Sequence, residues 1–407
     1  MNSMKRALII IASLIVLIGI IVGVYFLFFA GKDAKLLVGG NVFGEGSGTL
    51  GGEVIVTSEA ANDAGTLVAP RLIRISEVPV ADGVYVGMNV ESATTSLSTS
   101  TQLLPSVEVR YIERASGNVY SFLTGVRSLA RIGNKTLPGI QKASWVPSGA
   151  SVFVQYAQND SGADSVATYL LPVGSLDSAG RFLEPNLKQA FVSGSSTLVT
   201  LLSGTTGSTA TLSRLDGTFA KTLFSSSLSS LVVLSSRSEY FAHTKPSFAL
   251  DGYAFKISAP GSFARILGPL RGLSILPSPS GSLVLYSYLD RGVLQLGFLD
   301  VATRVVNVLP VATLTDKCVW SQNSQSIYCG VPLKLSGKLP DDWHQGAVDF
   351  SDRIWEIDVV AREARLIVDP SEVAKLGLDI TNLAVDTNND MLVFSDRSTG
   401  SLWVYDL

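Results

Sequence analysis

The feature that most constrains this chain is a hairpin that returns at a spacing of about 40–50 residues, the period of folds that stack one supersecondary unit many times. Each copy is an apolar strand, a turn of small polar residues and a second apolar strand. The copies read WVPSGASVFVQY from Trp145, VSGSSTLVTLLS from Val192, VLSSRSEYFAHT from Val233, ILPSPSGSLVLYSY from Ile275, VWSQNSQSIYCGVP from Val319 and AVDTNNDMLVFSD from Ala384. Pro-Ser-Gly, Asn-Ser and Asn-Asn turns supply the backbone freedom that a tight hairpin demands. The later copies continue into a third strand: YAFKIS ending at Ser258, LQLGFLD at Asp300, RIWEIDV through Asp358 and SLWVYDL around Asp406. A fourth strand usually follows, as in ARILG, RVVNVLP and ARLIVDP, and alternation of apolar and polar positions marks all of these as extended.

Four antiparallel strands repeated in this way make the blade of a β-propeller, whose apolar faces stack on neighbouring blades. The abundance of Gly, Ser and Thr and the lack of long Glu/Lys/Ala runs fit an all-β chain of short strands and tight turns. A β-sandwich is the competing architecture for the same alternation. The hairpins predict six blades, and Gly83 to Thr124, which contains VEVRYIERASGNVYSFL, predicts a seventh, giving a propeller of seven four-stranded blades over residues 71–407. The last blade reaches Leu407 directly after its third strand, and an open apolar edge invites aggregation. RLIRIS, Arg71 to Ser76, is therefore expected to supply the missing strand.

The hairpins at Pro277-Ser278-Pro279-Ser280-Gly281 and Trp320-Ser321-Gln322-Asn323 resemble the Ser-Pro-Asp-Gly hairpins of bacterial propeller proteins of the WD-repeat-like and TolB-like kind. The resemblance spans roughly residues 141 to 407. It implies a fold and no particular activity, because one fold hosts many functions.

Ahead of the repeats, Ala7 to Ala30 form an uncharged apolar run, ALIIIASLIVLIGIIVGVYFLFFA. A helix of about 20 such residues crosses a bilayer. A cleaved signal peptide has a shorter apolar region and a small-x-small site, whereas Phe28 and Phe29 precede Ala30 here, so an uncleaved anchor is expected. Lys5 and Arg6 before the run, against Lys32, Asp33 and Lys35 after it, favour residues 1–6 in the cytoplasm and the remainder outside. Residues 31–70 are rich in glycine and small residues and read as a flexible linker, with a short strand possible in GEVIVTS.

Charged residues make up 16% of the chain and its net charge is −3, which argues against nucleic acid as a partner. Two histidines and two cysteines leave little for a metal site, no cofactor motif is present, and neither a metal nor a cofactor is expected. In CVWSQNSQSIYC, a turn centred on Asn323 and Ser324 places Cys318 directly opposite Cys329, which permits a disulfide. Two buried thiols are the alternative.

Between the second and third strands of that blade lies LKLSGKLPDDWHQGAVDFSD, about twenty residues longer than the equivalent link elsewhere. Its Asp341, Asp342, Trp343, His344, Asp349 and Asp352 are the ligand-binding candidates, for a sugar, a peptide or a cation. The bland alternative is a solvated insertion whose Trp343 covers a blade edge. Asp386 to Asp390 space oxygens as a calcium loop begins, but lack its glycine and distal glutamate and fit a hairpin turn better. His243 and His344 lie in no catalytic motif, and scattered carboxylates such as Glu108, Glu113, Asp349 and Asp352 would make an acid and base pair only if the fold brought them together. No catalytic residue is assigned. The expected function is a membrane-tethered extracytoplasmic binding or scaffolding module of the bacterial cell envelope with a protein or glycan partner. The alternative is an anchored enzyme acting on envelope glycans or peptides.

Overall fold

The computed structural model describes residues 71–407, apart from residues 95–100, 134–136, 161–162, 175–178, 238 and 259–260. The apolar run over residues 7–30 and the linker over residues 31–70 lie outside the described residues. Among the described residues no helix is long and apolar enough to cross a membrane.

The strands are antiparallel and group into six sheets, each joined mainly by hairpins. The first sheet holds Tyr85–Thr94, Thr101–Ile112, Val119–Leu123 and Ser128–Arg131, and the second holds Ile140–Trp145, Ser151–Asp160, Ala163–Pro172 and Arg181–Phe182. The third holds Leu187–Ser193, Thr197–Gly204, Gly207–Arg214 and Lys221–Ser226. The fourth sheet has seven strands, from Leu231–Ser235 to Val306–Val308. Its middle strand, Ser262–Pro277, pairs first with Asp251–Ser258 and then, past a register shift between Arg271 and Ser274, with Leu283–Asp290. ARILG and the first arm of ILPSPSG, separate strands in the sequence reading, are thus one continuous strand. Gly268 and Gly272, with φ of 103° and 63°, occupy the stretch where the pairing changes hands, a backbone conformation that a Cβ disfavours.

The fifth sheet holds Cys318–Trp320, Ser326–Pro332, Asp352–Asp358 and Glu363–Val368. The sixth closes the domain: Ile380–Val385, Met391–Asp396 and Leu402–Asp406 are completed by Leu72–Ser76. That last pairing sets Leu72 opposite Tyr405, Ile73 opposite Val404 and Arg74 opposite Trp403, as the exposed edge of SLWVYDL requires. Arg71 adds bonds from Nε and Nη2 to the Asp406 carbonyl at 3.0 and 2.7 Å.

Packing shows why the sheets form a ring. Most apolar clusters lie between one sheet and the next: Ile112 and Val119 pack with Ile140 and Val152, Phe153 with Leu198, and Leu212 with Leu231 and Val233. Leu285 and Phe298 meet Trp320 and Ile327, and Tyr328 and Ile354 meet Ile380 and Leu392. The cluster of Ile73, Ile75, Val393 and Val404 with Val107, Val109 and Phe122 joins the sixth sheet back to the first. Inner strands bury residues on both of their faces, as in Thr197–Gly204, Leu283–Asp290 and Met391–Asp396, because each sheet packs against a neighbour on either side.

Turn chemistry repeats with the strands. Asp300 accepts from the N–H groups of Ala302 and Thr303 at 3.0 and 2.9 Å, and Asp358 from Val360 and Ala361 at 2.7 and 2.8 Å. In these two blades the carboxylate that ends the third strand therefore satisfies the donors of the turn into the fourth. Asp386 does the same for Asn388, Asp390 and Met391, so the stretch from Asp386 to Asp390 is a hairpin turn. Cys318 pairs with Cys329 in the register derived from the sequence, with Val319 opposite Tyr328 and Trp320 opposite Ile327, and the two sulfurs form a disulfide across a Cα–Cα distance of 4.1 Å.

Candidate binding cavity

The fifth sheet carries a charged group where the sequence shows only an edge. Thr315–Lys317 form a 3-10 turn that leads into Cys318–Trp320 and swings the Lys317 side chain into full burial. A buried ammonium is tolerated only when it is paired and bonded. Its Nζ donates to Asp352 Oδ2 at 2.5 Å, to Asp379 Oδ1 and to the Ile380 carbonyl at 3.1 Å. Asp379 also accepts from Trp343 Nε1 at 3.1 and 3.0 Å and from the Phe350 N–H at 3.2 Å. Lys317 Nζ lies 5.1 Å from the centre of the Trp343 ring and 5.5 Å from that of Phe350. Burial pushes the Asp352 carboxyl up to about 6, against the opposing pull of Lys317.

This cluster decides what the long insertion does. Asp341–His344 form a one-turn helix whose Trp343 packs with Leu289, Leu294, Leu314, Leu339 and Phe350. Trp343 and Asp352 are thus buried, and the insertion is packed on the propeller rather than solvated. Asp341 accepts from the Phe248 N–H and Asp342 from the Lys338 N–H at 2.7 Å, so both carboxylates pin the insertion. Asp349 pairs with Arg397 at 3.2 Å, and Arg397 also lies over the Trp343 ring, 4.9 Å from its centre. Of the candidates, Asp349 is exposed but paired, and Trp343 and His344 border an open space, of which His344 is the exposed one.

That space is a cavity of about 750 Å³ at the seam where the ring closes. Asp82 enters from the segment before the first sheet, Arg114 from the turn after its second strand, Asp316 from the turn before the fifth sheet, and His344 from the insertion. Asn382 enters from the first strand of the sixth sheet, and Arg397 from the turn between that sheet's middle strands. Asn382 stands at a bulge between Thr381 and Ala384 with φ of 51°, an irregularity of the kind that re-aims a side chain. It donates to Asp82 Oδ1 at 3.2 Å, as does Arg114 Nη2.

Asp316 Oδ1 lies 3.6 Å from His344 Nε2, and 39% of the Asp316 side chain meets solvent. The enclosing protein pushes its carboxyl up, but His344 and then His243 outweigh that, and the net direction is below the ordinary carboxylate value. Burial lowers the imidazole of His243, although its Nδ1 lies 2.9 Å from the Thr244 carbonyl. The only two histidines of the chain therefore bear on one carboxylate.

The carboxylates considered as an acid and base pair do not meet. Glu108 holds Arg110 at 2.7 Å and Ser121, Glu113 accepts from Ser116 at 2.6 Å, and Asp349 and Asp352 are engaged as above. Sequence reasoning missed Asp82, Arg114, Asp316, Asn382 and Arg397. One signal was present: Lys317 immediately before an apolar core strand places a charge where burial is forced, with Asp316 beside it.

No protein-family model and no curated protein matches the chain. Solved structures do. Oligogalacturonate lyase from Vibrio parahaemolyticus aligns with a TM-score of 0.54 at 9% identity, over 87% of this chain and 98% of that one. The β-propeller domain of the trilobed protease from Pyrococcus furiosus aligns at 0.47 and 10% identity, over 80% and 94%, and TolB from Acinetobacter baumannii at 0.41 and 11%, over 69% and 78%. At such identities the likeness concerns the fold alone. The sheet order and the ring of interfaces make the described residues a β-propeller.

Proposed function

We propose that this chain is a membrane-tethered, extracytoplasmic binding module of the bacterial cell envelope, whose seven-bladed propeller engages a polar segment of a partner protein at the seam cavity. The blade count treats the seven-stranded sheet as two four-stranded units sharing Ser262–Pro277. The apolar run from Ala7 to Ala30 supports the tether. The Cys318–Cys329 disulfide supports an oxidising compartment.

The observation that carries the reading is the convergence of Asp82, Arg114, Asp316, His344, Asn382 and Arg397, of both charge signs, on one cavity of about 750 Å³. Binding sites are concave and hold a few convergent polar groups on a rigid scaffold. A partner segment carrying both an acid and a base would find an opposite charge for each.

Reversing one charge tests it. In pull-downs from detergent-solubilised membranes, Arg114→Glu is expected to reduce recovery of the partner at least 10-fold while leaving the melting temperature within about 2 °C. The small stability change follows because the Arg114–Asp82 pair is more than one third exposed and such pairs contribute only about 0–1 kcal/mol. Equal recovery by both proteins would refute the site, and turnover of an envelope glycan or peptide by the purified chain would replace the binding role with the catalytic one.

The compartment has its own check. Rapid alkylation of protein taken from the envelope, followed by mass spectrometry, should leave Cys318 and Cys329 unmodified until a reductant is added. Two alkylated cysteines without reduction would contradict the extracytoplasmic location.

A further inference from the structure

A second cleft, of about 550 Å³, lies between the third sheet and the seven-stranded sheet and shares no residue with the seam cavity. Arg214, Phe219 and Lys221 form one wall, and Glu239, Tyr240 and Lys256 the other. Cations outnumber acids here although the whole chain carries a net charge of −3. Lys256 is neutralised by Glu239 at 2.6 Å. Arg214 and Lys221 form no ion pair among the described residues, and Asp216 on the same turn is folded back onto Thr218, accepting from its N–H at 2.8 Å and its hydroxyl at 2.6 Å. The Arg214 guanidinium instead lies over the Phe219 ring, 3.8 Å from its centre.

Phe219 is an independent sign of use. It is 73% exposed, so the fold gains little from its ring, and its φ of 53° is a backbone conformation disfavoured for a bulky residue. Strain held at an exposed aromatic beside an unpaired cation is the kind that clusters at ligand sites. Thr197, Ser213 and Ser258 add hydroxyl groups around the same cleft.

The geometry points to a binding site for an acidic sugar. Its carboxylate sits between Lys221 and the planar fork of Arg214, which suits two parallel bonds to a carboxylate. The C–H face of the pyranose lies against Phe219, and its hydroxyls meet Thr197, Ser213 and Ser258. The cleft falls within the roughly 300–1,000 Å³ of small-molecule sites and exceeds what a lone phosphate would fill.

Titration calorimetry of the full-length protein in detergent tests this, with a hyaluronan tetrasaccharide as the acidic probe and chitotetraose as its neutral counterpart. The acidic probe is expected to bind at least 10-fold more tightly than the neutral one. Arg214→Gln and Lys221→Gln should each weaken it about 10-fold. Phe219→Gly should weaken it at least 5-fold while raising the melting temperature, because glycine accepts the positive φ, and that opposed pair of effects separates a ligand platform from a structural role. Arg114→Glu, at the other site, should leave the titration unchanged, so failure here and failure of the seam cavity can be told apart. Equal affinity for both probes, no binding of the acidic probe, or unaltered binding by Arg214→Gln would overturn the inference. Binding to phosphatidylglycerol vesicles through Arg214 and Lys221 in place of the sugar would overturn it as well.

Discussion

Lys317→Met is expected to lower the stability of the propeller by about 3–5 kcal/mol, the range found when one partner of a buried ion pair is removed. The substitution keeps the length of the side chain but leaves Asp352 and Asp379, both fully buried, without their cation. Asp379 also fixes Trp343 and the Phe350 N–H, so its reorganisation loosens the insertion from its apolar bed. Adding Asp379→Asn to Lys317→Met should recover part of the loss, since residues in one network are not additive. Urea denaturation measures both, and a loss below about 1 kcal/mol for the single variant would contradict the structural role of the cluster.

The same cluster sets a pH dependence. The Asp352 carboxyl titrates at about 6 in the folded protein against an ordinary 3.8, so the folded state holds its proton more tightly than the unfolded state does. The resulting contribution is complete below about pH 4 and is lost as pH rises through 6, a change of about 3 kcal/mol by linkage. Asp352→Asn removes this dependence. Relative to the parent chain, its stability should improve by about that amount between pH 4 and pH 7, and an unchanged difference across that window would show that Asp352 is ionised throughout.

Ring closure carries the second large effect. A chain beginning at residue 67 should fold, whereas one beginning at residue 77 loses Leu72–Ser76 and should be destabilised by about 5 kcal/mol or more. The figure follows from Leu72, Ile73 and Ile75, which are 0%, 6% and 5% exposed, at about 1.5–3 kcal/mol for each aliphatic side chain buried. The bond from Tyr111 to the Ile75 carbonyl at 3.1 Å is lost as well. The Leu402–Asp406 edge would then lie open with its apolar side chains, a template for pairing with another copy. Equal melting temperatures and equal solubility for the two chains would refute the closure.

The elements that the residues made legible are those governed by local rules. Hairpin arithmetic placed Cys318 opposite Cys329, and the need to cover an edge placed Arg71 to Ser76 beside SLWVYDL. The continuous strand Ser262–Pro277 was read as two, whereas the structure passes one strand between two partners through Gly268, Pro269 and Gly272. The seam cavity was hidden for another reason. Asp82 lies more than two hundred residues from Asp316 and Asn382 in the chain, and only ring closure brings it to them. Trp343 was misleading because its acidic neighbours suggest a solvated loop, and the cation that draws it inward, Lys317, belongs to a residue type rarely buried.

The binding role is tested most directly by photo-crosslinking in intact cells, with a benzophenone amino acid in place of His344 on the lip of the cavity and, as a control, in place of Phe182. Phe182 is 61% exposed and lies on the outermost strand of the second sheet, away from the residues that line the cavity. The account predicts one discrete adduct from position 344, abolished by Arg114→Glu, and none from position 182. Absence of any adduct at position 344, or the same adducts at both positions, would contradict it.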